Sequence, residues 1–290
     1  MNTKSAFRLS MFFVLLMALA TSCVKDPVGA PLTRELLVET DISYGPDERQ
    51  RMAITLPEGR DEQTPIVILI HGGAWTAGSK EDLAGLQQVL LANHIGSISI
   101  DYRFVSATHH VDGLMADVGL ALATITAHAH EWGIRTDGYQ LFGASAGAHM
   151  ALLYAYHFQQ PNEVSAVISA AGPTTFSDEF LALAAATGNP LKAPIEAMAG
   201  APIETPYSPR FAAASPLTYV ADAVPTLLIH GEADLIVPYQ MSATLDAALK
   251  AEGKTAQLIT LPDAGHDLFA DPVTTMQVLN DVLTWIKTQG

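Results

Sequence analysis

The sequence predicts a single α/β domain: a mostly parallel, eight-stranded sheet flanked by helices, with a small cap inserted late in the chain. Three observations carry this. Short apolar runs rich in Ile and Val alternate with longer stretches at helical spacing. The first two runs follow each other without a helix between them, which calls for an antiparallel start. The alternation then stops once, between Gly172 and Pro216, where Pro173, Pro190, Pro194, Pro202, Pro206 and Pro209 accumulate.

Taken in order, residues 35–44 carry Leu36, Val38, Ile42 and Tyr44 at even spacing, the pattern of a half-buried strand, and 51–56 follows as its partner. Ile66–Ile70 is apolar at every position, as burial on both faces requires. A helical stretch near 81–93 leads to a strand over 96–101. Asp112 is placed to cap a helix that carries Leu114, Val118, Leu122 and Ile125 on one face and ends near Trp132-Gly133. Residues 139–142 form a short strand, 146–158 a helix, and 164–170, 226–229 and 256–261 three further strands. The last helix places Val273, Met276, Leu279, Val282, Leu283 and Ile286 on one face. Within the insertion at about 173–215, one or two short helices are expected around 176–186; its apolar Phe176, Phe180, Leu181, Leu183, Met198, Tyr207 and Phe211 suit a cap over a pocket.

Composition narrows the function. Of 290 residues, 49% are hydrophobic and 16% charged, which supports a large core and excludes a disordered chain. Fifteen basic against thirty acidic residues give a net charge of −15, which repels phosphate backbones, so no nucleic-acid partner is expected. The single cysteine, Cys23, excludes an intramolecular disulfide and a cysteine-built metal site. His109-His110 lacks companions at ligand spacing and reads as loop, so neither metal nor cofactor is expected.

Residues 1–22 read as a signal peptide, with Lys4 and Arg8 before the apolar stretch 11–20. The small residues Ala20-Thr21-Ser22 before Cys23 resemble a bacterial lipobox, although Leu19 lies one place further from the cysteine than usual. Cys23 is therefore expected as a lipidation site and residues 23–33 as a tether, with an ordinary cleaved signal as the competing reading. The protein is expected to be exported: a bacterial membrane-anchored lipoprotein, otherwise periplasmic or secreted, touching the membrane only through that anchor.

The chemistry falls at strand ends. Gly143-Ala144-Ser145-Ala146-Gly147 joins a strand to a helix, the setting in which G-x-S-x-G holds an exposed serine on a sharp turn at a helix N-terminus. His71-Gly72-Gly73-Ala74-Trp75 follows the buried strand, and its glycines let backbone N–H groups face an oxyanion. The expected donors are Gly72 or Gly73 together with Ala146; His71 reads as a structural support and Trp75 as a pocket wall. Asp234, after the strand 226–229, and His266, after 256–261, complete the chain order serine, acid, histidine. Glu232 is the nearest rival for the acid. His149, one turn after Ser145, and His230 read as packing residues.

With these motifs the chain from about residue 48 onward resembles the α/β-hydrolase superfamily. It is most similar to the carboxylesterase branch related to hormone-sensitive lipase and to bacterial feruloyl and acetyl-xylan esterases. The resemblance rests on His71-Gly72-Gly73, Asp101-Tyr102-Arg103, the Ser145 pentapeptide, Asp234-Leu235-Ile236-Val237-Pro238 and Gly265-His266. It implies a serine esterase with Ser145 as nucleophile, His266 as base and Asp234 as orienting acid, acting on small-molecule or carbohydrate esters. It also implies a structural role for Asp101-Tyr102-Arg103, with Arg103 pairing Asp117. Two departures stand out: Phe104-Val105-Ser106 replaces the usual Leu-Ala-Pro, and Ala144 the common aspartate. A serine peptidase of the same fold and a catalytically silent surface binding protein are the competing readings.

Overall fold

The computed structural model describes residues 34–186 and 189–289. The segments expected as signal peptide and tether, with Cys23, lie outside the described residues. The eight strands are β1 Leu37–Ser43, β2 Arg51–Leu56, β3 Ile66–Ile70, β4 Gly96–Ile100, β5 Tyr139–Ala144, β6 Val164–Ala170, β7 Thr226–Gly231 and β8 Ala256–Leu261. They lie in one sheet in the order β1-β2-β4-β3-β5-β6-β7-β8. β2 pairs antiparallel with both β1 and β4, and every other neighbour is parallel. This is the α/β-hydrolase fold.

Burial on both faces explains the unbroken apolar run of β3. Ile66, Ile68 and Ile70 join one core and Val67 and Leu69 the other, so alternate side chains serve opposite layers. Helices α1 (Ala84–Ala92) and α8 (Pro272–Gln289) cover the second face; α2 (Val111–Trp132), α3 (Ala146–Leu153), α7 (Gln240–Ala251) and the insertion cover the first. Each fully buried Leu or Ile stabilises by about 1.5–3 kcal/mol.

Several boundaries depart from expectation. Leu36 and Val38 are exposed, while Leu37, Ile42 and Tyr44 face inward. An extra residue between Glu39 and Ile42, opposite the two-residue step Ile54 to Met52, reverses the parity of β1. Asp112 lies inside the first turn of α2, and the residue preceding that helix is His110. Beyond Leu153 the helix of α3 widens into a π turn over Tyr154–Phe158. In α8 the inward face is Val278, Val282, Trp285 and Ile286, and Val273 and Met276 in the opening turns are 77% and 67% exposed. Among its described residues the insertion holds three short helices, α4 (Asp178–Ala184), α5 (Lys192–Ala199) and α6 (Pro209–Ala213). Among the described residues no helix is long and apolar enough to cross a membrane.

Because β3 and β5 to β8 run parallel, the turns that follow β3, β5, β7 and β8 emerge at one edge of the sheet. That edge is where open α/β sheets assemble their sites.

Candidate active site

Ser145 sits at the junction of β5 and α3 with φ 52° and ψ −118°. Its N–H donates to the Ala170 carbonyl at 2.8 Å, and its own carbonyl accepts from the His149 N–H at 3.0 Å. The flanking glycines are required by close approach rather than by φ: a Cβ on Gly147 would collide with the Ile70 carbonyl, and one on Gly143 with the Gly147 carbonyl. The turn thus lies hard against the end of β3.

His266 stands on the turn after β8 and faces Ser145. Its Nε2 is 2.9 Å from Ser145 Oγ, and its Nδ1 is 2.7 Å from Asp234 Oδ2. A carboxylate only accepts, so Nδ1 carries the proton and Nε2 is left to accept from the serine hydroxyl. The acid is fixed on all sides: Oδ1 accepts from the N–H groups of Ile236 at 2.8 Å and Val237 at 2.9 Å, and Oδ2 also accepts from His230 Nε2 at 3.1 Å. Burial alone would raise the Asp234 pKa. The hydrogen bonds from His230, His266, Val237 and Ile236 outweigh that and hold the carboxyl well below the ordinary carboxylate range. The two loops are stitched together by the Ala233 N–H donating to the Ala264 carbonyl at 3.0 Å and Glu232 N–H to Leu261 at 3.0 Å. The Glu232 side chain itself is exposed.

The loop after β3 is held from beneath. His71 is fully buried, its Nδ1–H donates to the Gly72 carbonyl at 2.7 Å, and its ring stacks on Tyr102 at 4.3 Å. Burial pulls its pKa down. Arg49 braces the same turn, donating to the Tyr102 carbonyl at 2.9 Å, the Gly78 carbonyl at 3.0 Å and Asp101 Oδ1 at 3.2 Å. No sequence pattern singled out Arg49, which lies in the short connection between β1 and β2. Arg103 does pair Asp117, through contacts of 2.6–3.1 Å. Gly73 has φ +108°, and a Cβ there would meet the Ala77 carbonyl. Ala74 and Trp75 follow with φ 50° and 59°, both left-handed. Among the described residues, the N–H groups of Gly72, Gly73 and Ala146 donate to no protein acceptor.

A cavity of about 530 Å³ opens over Ser145. Gly73, Ala74, Trp75, Ala146 and His266 line it together with Ile236 and Val237 and with Phe176, Phe180, Leu191 and Ile195 of the insertion. The aromatic and aliphatic residues of the insertion therefore divide by role. Phe176 and Phe180 line the cavity, Leu181, Met198 and Phe211 are buried in the core, and Leu183 is exposed.

The BD-FAE family model matches residues 52–249, more than half of the chain. The chain belongs to the BD-FAE family. The match contains Ser145 and Asp234 and ends before His266. Among curated proteins, the chain is 29% identical to the esterase LipQ of Mycobacterium tuberculosis over 260 residues, which cover 82% of this chain and 59% of LipQ. It spans about half the length of the curated relatives it matches. Among solved structures, a bifunctional GH43-CE protein of Bacteroides eggerthii superposes with a TM-score of 0.74 at 24% identity, covering 87% of this chain and 38% of that one. A truncated carbohydrate esterase from gut microbiota gives 0.71 at 22% identity, covering 87% and 96%. At these identities the structural likeness concerns the fold.

In this BD-FAE chain two histidines do more than sequence reasoning assigned them. His230 touches Asp234, and its Nδ1 lies 2.8 Å from Ser242 Oγ, so the acid is seated from behind. The signal available was its spacing four residues before Asp234 across a strand end. His149 contacts Trp75 in the loop over Ser145.

Proposed function

We propose that this protein is a serine carboxylic-ester hydrolase. The observation that carries the reading is the hydrogen-bonded chain Ser145–His266–Asp234 at the base of an apolar cavity. In the proposed reaction His266 Nε2 takes the Ser145 hydroxyl proton as Oγ bonds to the ester carbonyl carbon. The carbonyl π electrons move to oxygen, and N–H groups of Gly72 or Gly73 and of Ala146 donate hydrogen bonds to the resulting oxyanion. As the carbonyl re-forms, the alkoxide leaves with the proton from His266. Water then attacks the acyl carbon as His266 takes its proton; when the carbonyl re-forms, the acyl–Oγ bond breaks, His266 returns the proton to Ser145 Oγ and the carboxylic acid leaves. Asp234 stays ionised throughout and stabilises the imidazolium.

The cavity lining favours an uncharged acyl group, aliphatic or aromatic, because among the described residues no side chain there except His266 carries a titratable group. An acylated carbohydrate as the alcohol side is supported by the truncated carbohydrate esterase among the structural neighbours. Export and anchoring through Cys23 rest on the N-terminal sequence alone; Cys23→Ser should move the protein from the membrane fraction to the soluble one.

The test follows p-nitrophenyl esters from acetyl to octanoyl, and methyl ferulate, with wild type beside Ser145→Ala. We expect kcat to fall by at least about 10³-fold in the variant while the fold persists. Ester turnover that survives Ser145→Ala would overturn the assignment.

A further inference from the structure

His149 is entirely buried one turn beyond the nucleophile, and the reaction outlined above gives it no task. Both ring nitrogens are engaged. Trp75 Nε1 is 3.2 Å from its Nδ1, and its Nε2 is 2.8 Å from the Ala214 carbonyl. An indole N–H can only donate, so Nδ1 accepts; Nε2 then bears the proton and donates to Ala214. Its ring also meets Trp75 and Phe176 edge-on, each at 5.3 Å between centroids.

These three contacts reach three different parts of the site. Trp75 belongs to the loop that carries Gly72 and Gly73, Phe176 lines the cavity from the insertion, and Ala214 lies at the insertion's far end. His149 itself is rooted in α3 through its N–H bond to the Ser145 carbonyl. The loop needs such an anchor. Ala74 and Trp75 are both left-handed, a conformation that persists in non-glycine residues only where the surroundings over-determine it.

We propose that His149 is a positioning residue that locks the Gly72-Gly73 loop and the edge of the insertion onto the helix bearing Ser145, and so sets the geometry of the oxyanion donors. The proposal rests on the ester-hydrolase reading. Only the neutral ring can accept from Trp75, and burial keeps it neutral by pulling its pKa to about 4.

Two amide variants separate the two bonds. Asparagine places its carbonyl oxygen where Nδ1 stands and keeps an acceptor for Trp75; glutamine reaches the Nε2 position and keeps the donor to Ala214. Each leaves one buried partner unpaired, so His149→Asn and His149→Gln should melt at similarly lowered temperatures. For p-nitrophenyl acetate, His149→Gln should lose about tenfold or more in kcat at little change in KM, while His149→Asn stays within about threefold of wild type.

That split between two equally destabilised variants is a result that packing alone does not produce. Equal losses in both variants, in step with their lowered melting temperatures, would reduce His149 to a core residue and overturn the proposal. Wild-type kcat in both would overturn it as well. Ester turnover that persists in Ser145→Ala, measured alongside, would instead remove the ester-hydrolase reading on which the proposal stands.

Discussion

Ser145 holds a backbone conformation that L-residues resist, with φ 52° and ψ −118°, and such strain costs about 1–3 kcal/mol. The turn is kept because it lifts Oγ to within 2.9 Å of His266. Glycine would relieve the strain and give back about 0.5–1 kcal/mol through the entropy of its unfolded state. Ser145→Gly should therefore be more stable than wild type by about 1 kcal/mol, read by urea denaturation, and devoid of ester turnover. A variant less stable than wild type would show that the elbow carries no stored strain. His149 supplies a second residue-scale expectation. Its folded pKa of about 4 lies below the ordinary 6.5, so between those values the unfolded chain binds the proton and the folded one does not. Its contribution is full above pH 6.5 and is lost as pH falls toward 4. Wild type should lose about 3 kcal/mol more than His149→Asn between pH 7 and pH 4, measured by denaturant titration at each pH. Equal losses would mean that the ring is not held neutral.

At the scale of elements, the motif Asp101-Tyr102-Arg103 is explained by what it joins. Asp117 is buried in α2 and accepts from Gln50, from the Arg103 backbone N–H and from the Arg103 guanidinium, so it ties the turn after β4 to α2 and to the β1–β2 connection. Asp117→Ala leaves those donors without an acceptor and should cost about 3 kcal/mol, seen as a lower urea midpoint at unchanged slope. A change below about 0.5 kcal/mol would place the tie on the surface instead. Periodicity located each strand and long helix but misjudged which residues of β1 and of the start of α8 face inward. One inserted residue reverses the parity of a strand, and that bulge arises from pairing with β2, which no pattern within 35–44 reveals. In α8, Val273 and Met276 match the helical period yet are exposed, while Val282 and Ile286 of the same expected face are buried.

For the molecule as a whole, the insertion decides the shape of the cavity while the sheet decides its chemistry. Leu191 lines the cavity and is only partly buried, so enlarging it changes the pocket more than the core. Leu191→Trp should cut kcat/KM for the octanoyl ester about tenfold or more and leave the acetyl ester near wild type. An unchanged ratio would mean that acyl chains lie elsewhere. The sequence by itself determined the order of elements and the parallel sheet, and it singled out Ser145, Asp234, His266 and the Gly72-Gly73 loop as candidates. Those features are local: apolar runs, glycines at strand ends, and a chain order set by the connections between parallel strands. Only the tertiary structure decided that Asp234 rather than Glu232 reaches His266, that Arg49 braces the turn after β3, and that His149 and His230 stand behind the site. Each of these depends on contacts between turns that meet only when the strand ends converge. A hydrogen bond such as His266 to Ser145, closed across 121 positions of chain, leaves no periodic trace in the residues between.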